Sequence, residues 1–246
     1  MIYGATVKAV EDIDLIRGLG LGLGEIVFRN ADMCDFWVQS GLRSNFGAGF
    51  LLIAHAPKEG PPNDPANIWD NYMPALEHTI RTCETMGIHF LTIHFWLDAR
   101  FVRPDVREQK IAALGEILAF GKARDVTVAL ENLSEQAHDF AEVLEAVPGL
   151  AVTLDVGHAQ LLTEVNTSFE IIARMGECIK HVHLHDNHGG NGVNDDLHLA
   201  VGRGAVDFPR ILKALLAKGY DGTVTFEVEK EDLIESLDKV KRMVEG

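Results

Sequence analysis

Seven side chains able to bind a divalent cation stand at the ends of short apolar runs: His55 in LLIAHAP, His94 in LTIHFW, Glu131 in VALENL, Asp155 and His158 in VTLDVGH, His183 in HVHLHD, and Glu227 in VTFEV. Imidazole and carboxylate are the usual ligands of zinc, manganese and iron, and such groups converging in one place would desolvate or repel one another badly without a cation. One histidine at a strand end is in most cases a packed or hydrogen-bonded core residue, but seven residues in equivalent positions call for a shared cause. Side chains two apart in a strand share a face. Small or polar residues, Thr92, Ala129, Thr153 and Thr225, stand two before His94, Glu131, Asp155 and Glu227, whereas Ile93, Leu130, Leu154 and Phe226 alternate with them. The period therefore aims the candidate ligands one way and the apolar residues the other.

The densest stretch begins at His181, His183 and His185, which share a face, and continues through Asp186, His188, a glycine-rich turn and Asp196-Leu197-His198. Asp196 and His198 add two ligands. The turn Gly202-Arg203-Gly204 is suited to bring backbone or Arg203 to an anionic ligand, with a merely solvated Arg203 an equal alternative. Trp96, Trp69 and Tyr72 have faces on which a sugar or base can stack, with packing the plainer role for the last two. His78, His89 and His138 lack such placement and read as surface or packing residues.

Strands are expected at Ile2–Lys8, Gly24–Arg29, Phe50–Ala56, His89–Trp96, Val126–Leu133, Ala151–Val156, Ile179–Asp186 and Thr223–Val228, with helical patterns between them, including Ile68–Met86 and Arg107–Gly121. Gly87, Gly149 and Gly222 fall where helices should stop. Eight βα units in 246 residues fit one closed (β/α)8 TIM barrel, an α/β fold whose active sites gather at the carboxyl ends of the strands. Gly18, Gly20, Gly22 and Gly24 follow a helix rather than a strand, so they read as an αβ connection and not as a dinucleotide-binding turn.

No apolar run approaches a membrane span. The residues after Met1 carry no export signal, so the cytoplasm is the expected compartment. Cys34, Cys83 and Cys178 are too far apart for a CxxC metal site and read as packing residues. A formal net charge of −15 disfavours nucleic acid without excluding it, because carboxylates that bind metal count in that total. Self-association is left open.

Glu131-Asn132 closing strand five, Asp155-x-x-His158, His183-Leu-His-Asp186, and Asp196-x-His198 followed by Gly-x-Gly together resemble the xylose isomerase-like TIM-barrel superfamily, which includes sugar isomerases and epimerases and endonuclease IV. The resemblance runs from about residue 50 to 230. By comparison with the endonuclease branch it implies three zinc ions: one on His55, His94 and Glu131, a second on Glu131, Asp155, His183 and Glu227, a third on His158, Asp196 and His198. By comparison with the isomerase and epimerase branches it implies a single ion, zinc or manganese foremost, on the second set. Glu131 and Glu227 would then exchange a proton with substrate carbon, and His158, Trp96, His185 and Arg203 would contact a small sugar or sugar phosphate. Two departures stand out. The segment after His55, APKEGPPNDP, lacks the apolar wedge of a base-extruding enzyme, and Asn187-His188-Gly189-Gly190 stands where ketose epimerases commonly carry an arginine. A barrel that binds metal without catalysis is the third possibility, against which the retention of Glu131 and Glu227 weighs.

Overall fold

A computed structural model describes residues 1–42, 49–192 and 194–245. Eight parallel strands, β1 (Ile2–Val7), β2 (Leu23–Val27), β3 (Leu51–His55), β4 (Phe90–His94), β5 (Thr127–Glu131), β6 (Ala151–Asp155), β7 (Ile179–Leu184) and β8 (Thr223–Phe226), close into a barrel in sequence order. Closure is made by β8 on β1, with Ile2 opposite Thr223 and Ala5 opposite Phe226. The main helices are α1 (Glu11–Gly18), α2 (Ala31–Gln39), α3 (Met73–Met86), α4 (Pro104–Lys122), α5 (Ala137–Ala146), α6 (Ser168–Met175), α7 (Phe208–Ala217) and α8 (Lys230–Glu245), one after each strand. This is the (β/α)8 TIM barrel. Among the described residues no helix is long and apolar enough to cross a membrane.

The alternation read in the strands holds in space. Ile93, Leu130, Leu154 and Phe226 are buried in the apolar layer between strands and helices, while Thr92 and Thr153 meet inside the barrel, Oγ1 to Oγ1 at 2.9 Å. The interior is therefore polar where many TIM barrels stack branched aliphatic residues, which fits a barrel that must support charged groups above it.

Three expectations are corrected. The helix expected over Ile68–Met86 is broken: a short turn, Pro65–Asn67, leads into a π-helical segment, Ile68–Tyr72, before α3 begins. Pro74 has no N–H to give to residue 70, so a regular α-helical ladder cannot run through this point. Strand β7 stops at Leu184 rather than Asp186, because Asp186 pairs with Leu199 in an isolated antiparallel bridge. The helix before β8 ends at Ala217, with Lys218 capping it and Gly219 left-handed at φ 76°, and not at Gly222. Gly222 is needed for a different reason, since a Cβ there would lie 2.9 Å from the Lys180 carbonyl oxygen. Gly87 does close α3 at φ 69°, and Gly149 is left-handed at φ 91° just beyond α5.

Candidate metal centre

His55, His94, Glu131 and Asp155 are the last residues of β3, β4, β5 and β6, His183 is the last but one of β7, and Glu227 follows β8 directly. Register brings His94 beside Glu131 and Asp155 beside His183. These residues converge at the carboxyl end of the barrel. Asn132 locks two of the strand ends together: its side chain donates to the Asp155 carbonyl and accepts from the Asp155 N–H, both at 2.8 Å. Asp155 then receives the His158 N–H at 2.7 Å, which sets the turn that carries His158 back over the site.

The proton positions of the histidines follow from their carbonyl partners. His55 Nδ1–H donates to the Ala56 carbonyl at 2.9 Å, and His198 Nδ1–H to the Glu227 carbonyl at 2.9 Å. His158 Nδ1–H has the Asn132 carbonyl at 3.1 Å. Each ring then turns its other nitrogen onto a carboxylate: His55 Nε2 lies 2.9 Å from Glu131 Oε2, while His158 and His198 Nε2 lie 3.3 and 3.2 Å from Asp196 Oδ2. A neutral imidazole so arranged faces a carboxylate lone pair with its own, so a proton or a metal cation must neutralise the approach. His94 Nε2 joins the same Glu131 oxygen at 2.7 Å. His183 Nδ1 faces Glu131 at 3.2 Å, Asp155 at 3.5 Å and Glu227 at 3.6 Å.

Among the described residues three groups of donors stand at the cavity, each with its ligand atoms within 4.8 Å of one another: His55, His94 and Glu131; Glu131, Asp155 and His183; and His158, His185, Asp196 and His198. Further overlapping groups at the same spacing include His55, His183 and Glu227, and Glu25, His181 and His183. The donor chemistry fits divalent cations, with Glu131 shared between the first two groups. Without a cation the carboxylates demand positive charge from the rings. Burial works against the charged His55 ring, yet the hydrogen bond and charge of Glu131 push its pKa up to about 9. His198 is likewise pushed up to about 9, with Asp196 and Glu227 overcoming burial. His158 and His183 are held well above the ordinary histidine range by their carboxylate neighbours, against burial. Burial would raise Glu131, but His94 and His183 hold it well below the usual carboxylate range.

Asp196 and His198 of the third group ride on the segment after Asp186, and that segment hangs on Asp186. Its carboxylate accepts backbone N–H groups from Asn187 (2.9 Å), Gly202 (2.9 Å), Gly204 (2.8 Å) and Val206 (3.1 Å). Gly204 can have no side chain, since a Cβ there would run into Asp186. The anion that the Gly-x-Gly turn embraces is thus the chain's own aspartate. Arg203 is turned away, paired with Asp232 at 2.8 Å and with Glu235, and is absent from the cavity lining. His198 itself sits at φ 47°, a left-handed conformation costly for a residue with a Cβ, as is common where a site dictates backbone shape.

A cavity of about 1070 Å³ opens above the groups, and His55, His94, Glu131, His158, Asp196, His198 and Glu227 line it. Asp155 and His183 lie beneath. Trp96 forms part of the wall, its Nε1–H given to Ser134 at 2.7 Å and its ring stacked on Phe101. His185, expected to touch substrate, is instead fully buried, 2.9 Å from Asp155 and stacked on His198 at 3.9 Å, with no hydrogen-bond partner for Nδ1 among the described residues. That unpartnered nitrogen places it with the third donor group rather than with the substrate. Tyr72 packs and caps the His94 carbonyl at 2.6 Å, and Trp69 bonds Gln109 at the surface.

Sequence reading missed Glu25, in the middle of β2 and completely buried against His181 and His183. The same period of two applied to Leu23-Gly24-Glu25-Ile26-Val27 would have flagged it as a charge facing the barrel interior. It also missed Glu59 and Lys110, a buried pair at 2.6 Å behind the Trp96 wall.

The relatives include probable endonucleases, a ketose epimerase and uncharacterized proteins. A probable endonuclease 4 of Thermotoga petrophila is 24% identical over 183 residues, 65% of this chain and 59% of that one. A ketose 3-epimerase of Arthrobacter globiformis is 31% identical over 126 residues, 47% of this chain and 39% of that one. An uncharacterized protein of Methanocaldococcus jannaschii is 28% identical over 155 residues, and there too the match spans only half of the relative's length. Among solved structures, a D-tagatose 3-epimerase-like protein superposes with a TM-score of 0.79 at 21% identity, covering 100% of this chain and 97% of the other. A Thermus thermophilus protein soaked with zinc chloride gives a TM-score of 0.79 at 25% identity, with 100% and 99% covered. The family model of the xylose isomerase-like TIM barrel matches residues 39–245, and the chain belongs to that family.

Proposed function

We propose that the protein is a divalent-metal-dependent enzyme that rearranges a small sugar phosphate by isomerase or epimerase chemistry. The observation that carries this reading is the ring of carboxylates around one imidazole nitrogen: Glu131, Asp155 and Glu227 about His183 Nδ1, at the floor of a cavity of about 1070 Å³ that has ample room for a small sugar. A bound cation would supply the charge that polarises neighbouring hydroxyl and carbonyl oxygens of the substrate. Glu131 and Glu227 come from β5 and from the end of β8, with β6 and β7 between them, so they reach a substrate carbon from different sides and can exchange its proton. His158 orients a hydroxyl, and the fixed Trp96 ring offers a wall for the apolar face of the sugar.

A phosphate group is favoured by the rim. Lys8, Arg29 and Lys58 line the cavity near the ends of β1, β2 and β3, in a chain with 37 acidic and 22 basic residues. Among the described residues Arg29 and Lys58 have no ion-pair partner, so their charge is free to draw an anion to the mouth. The ketose 3-epimerase relative supports a sugar substrate, and the phosphate rests on the rim alone.

The second reading, phosphoester hydrolysis at a multinuclear centre, is favoured by the two histidines that grip Glu131 Oε2 and by the separate His158, Asp196 and His198 group, with the endonuclease relative in support. Elemental analysis of the protein purified without added metal or chelator, repeated on Asp196→Ala, separates the two. One ion per chain, unchanged in the variant, together with solvent deuterium entering a sugar phosphate at carbon, is expected for the isomerase. Close to three ions, falling by one in Asp196→Ala, with inorganic phosphate released and no deuterium at carbon, would replace it with the hydrolase.

A further inference from the structure

Below the three donor groups lies a polar layer that neither reading uses. Glu25 is completely buried at the centre of β2, and both of its oxygens are spent on imidazoles: Oε1 lies 3.2 Å from His183 Nε2 and Oε2 lies 3.1 Å from His181 Nε2. His181 is held in turn by Thr223, Nδ1 to Oγ1 at 2.7 Å, and by the edge of the Phe90 ring. A carboxylate buried this deeply, with only imidazoles and no lysine or arginine against it among the described residues, is costly for stability, so a stabilising role does not explain its presence.

The arrangement makes chemical sense from the His183 side. Nδ1 of that ring points up at Glu131, Asp155 and Glu227, and Nε2 points down at Glu25. A ring that binds a cation through Nδ1 must keep its proton on Nε2 and hold its plane, and a carboxylate accepting that proton secures both while making the ligand nitrogen more basic.

We propose that Glu25 is the positioning residue of the metal centre, fixing His183 as a ligand through Nδ1, with His181 and Thr223 bracing Glu25 from below. The inference rests on the metal-centre part of the proposed function and is indifferent to whether the substrate is isomerised or hydrolysed. Titration of zinc into metal-depleted protein tests it. In Glu25→Gln, which keeps the shape and loses the charge, the number of ions bound should stay at the wild-type value while the affinity of the central site falls roughly 10- to 100-fold, the range usual for such outer partners. Affinity unchanged within about threefold overturns the proposal, as does loss of one whole ion with the rest unaffected, which would make Glu25 a ligand itself. Wild type that binds no divalent ion removes the metal-centre reading and this inference with it. Should Glu25→Gln fail to fold, nitrogen-15 histidine spectra of the zinc-loaded wild type decide: His183 protonated at Nε2 and metal-bound at Nδ1 supports the role, and the reverse tautomer overturns it.

Discussion

Removing the metal should make the stability of this protein fall as pH rises, and restoring it should reverse the slope. The effect is worked from His55, whose side chain is 9% exposed and lies 2.9 Å from Glu131. In the metal-free protein its pKa is raised from the ordinary 6.5 to about 9. A base whose folded value lies above its unfolded value contributes stability that is complete below the unfolded value and is lost as pH climbs through the folded one. The window is therefore pH 6.5 to about 9. At 1.36 kcal/mol for each unit, the loss across it is about 3 kcal/mol. His198 adds in the same sense, by less, because water screens its more exposed ring. His94, lowered mainly by burial, acts only below 6.5 and leaves this window alone. With metal bound the same rings are neutral ligands, so protons compete with the ion and stability is lost towards acid instead. Urea unfolding at pH 6.5, 7.5 and 9, on chelator-treated and zinc-loaded protein, reads both slopes. Metal-free protein whose unfolding free energy is level to within about 1 kcal/mol from pH 6.5 to 9 would refute the reasoning.

Lys110→Met should destabilise the fold by about 3–5 kcal/mol, because Glu59 is left buried without the ammonium 2.6 Å away. Adding Glu59→Gln should recover part of it, and denaturant midpoints give both values. Gly157→Ala puts a methyl into the His185 ring and should push that ring off Asp155, so zinc titration is expected to show the third donor group at least about tenfold weaker. Arg203→Gln should leave KM for a sugar phosphate within about twofold of wild type, because Arg203 is engaged with Asp232 and Glu235. A tenfold rise in KM would return the residue to the substrate.

The strands, their order and the candidate ligands were legible because eight short runs recur along the chain and six of them, β3 to β8, end at or beside a residue that is wrong for a core. His55, His94, Glu131, Asp155 and His183 stand out against Leu, Ile and Val neighbours, and the register then delivers them to one end. What was not legible depends on contacts between distant segments. Nothing local in Gly-Arg-Gly says that its N–H groups serve Asp186 rather than a ligand, sixteen to eighteen residues away. The face shared by His181, His183 and His185 shows in sequence, but not that His181 lies against Glu25, His183 between Glu25 and Asp155, and His185 against Asp155. Glu25 sits mid-strand in β2, whose carboxyl end carries no polar candidate to mark it, and only its contacts with the distant His181 and His183 reveal its place.

The attachment at Asp186 also says how this scaffold can change its trade. One carboxylate, read by four amides, pins both ends of the segment that carries Asp196 and His198, and residues 188–192, 194 and 195 give none of those four amides. Length and composition there can drift without loosening the barrel. A descendant could lengthen that stretch into a lid, or swap its two ligands for substrate contacts, and inherit an undisturbed set of eight strands beneath. Loss of Asp186 would do the opposite, leaving every candidate ligand in the sequence while setting Asp196 and His198 adrift in space.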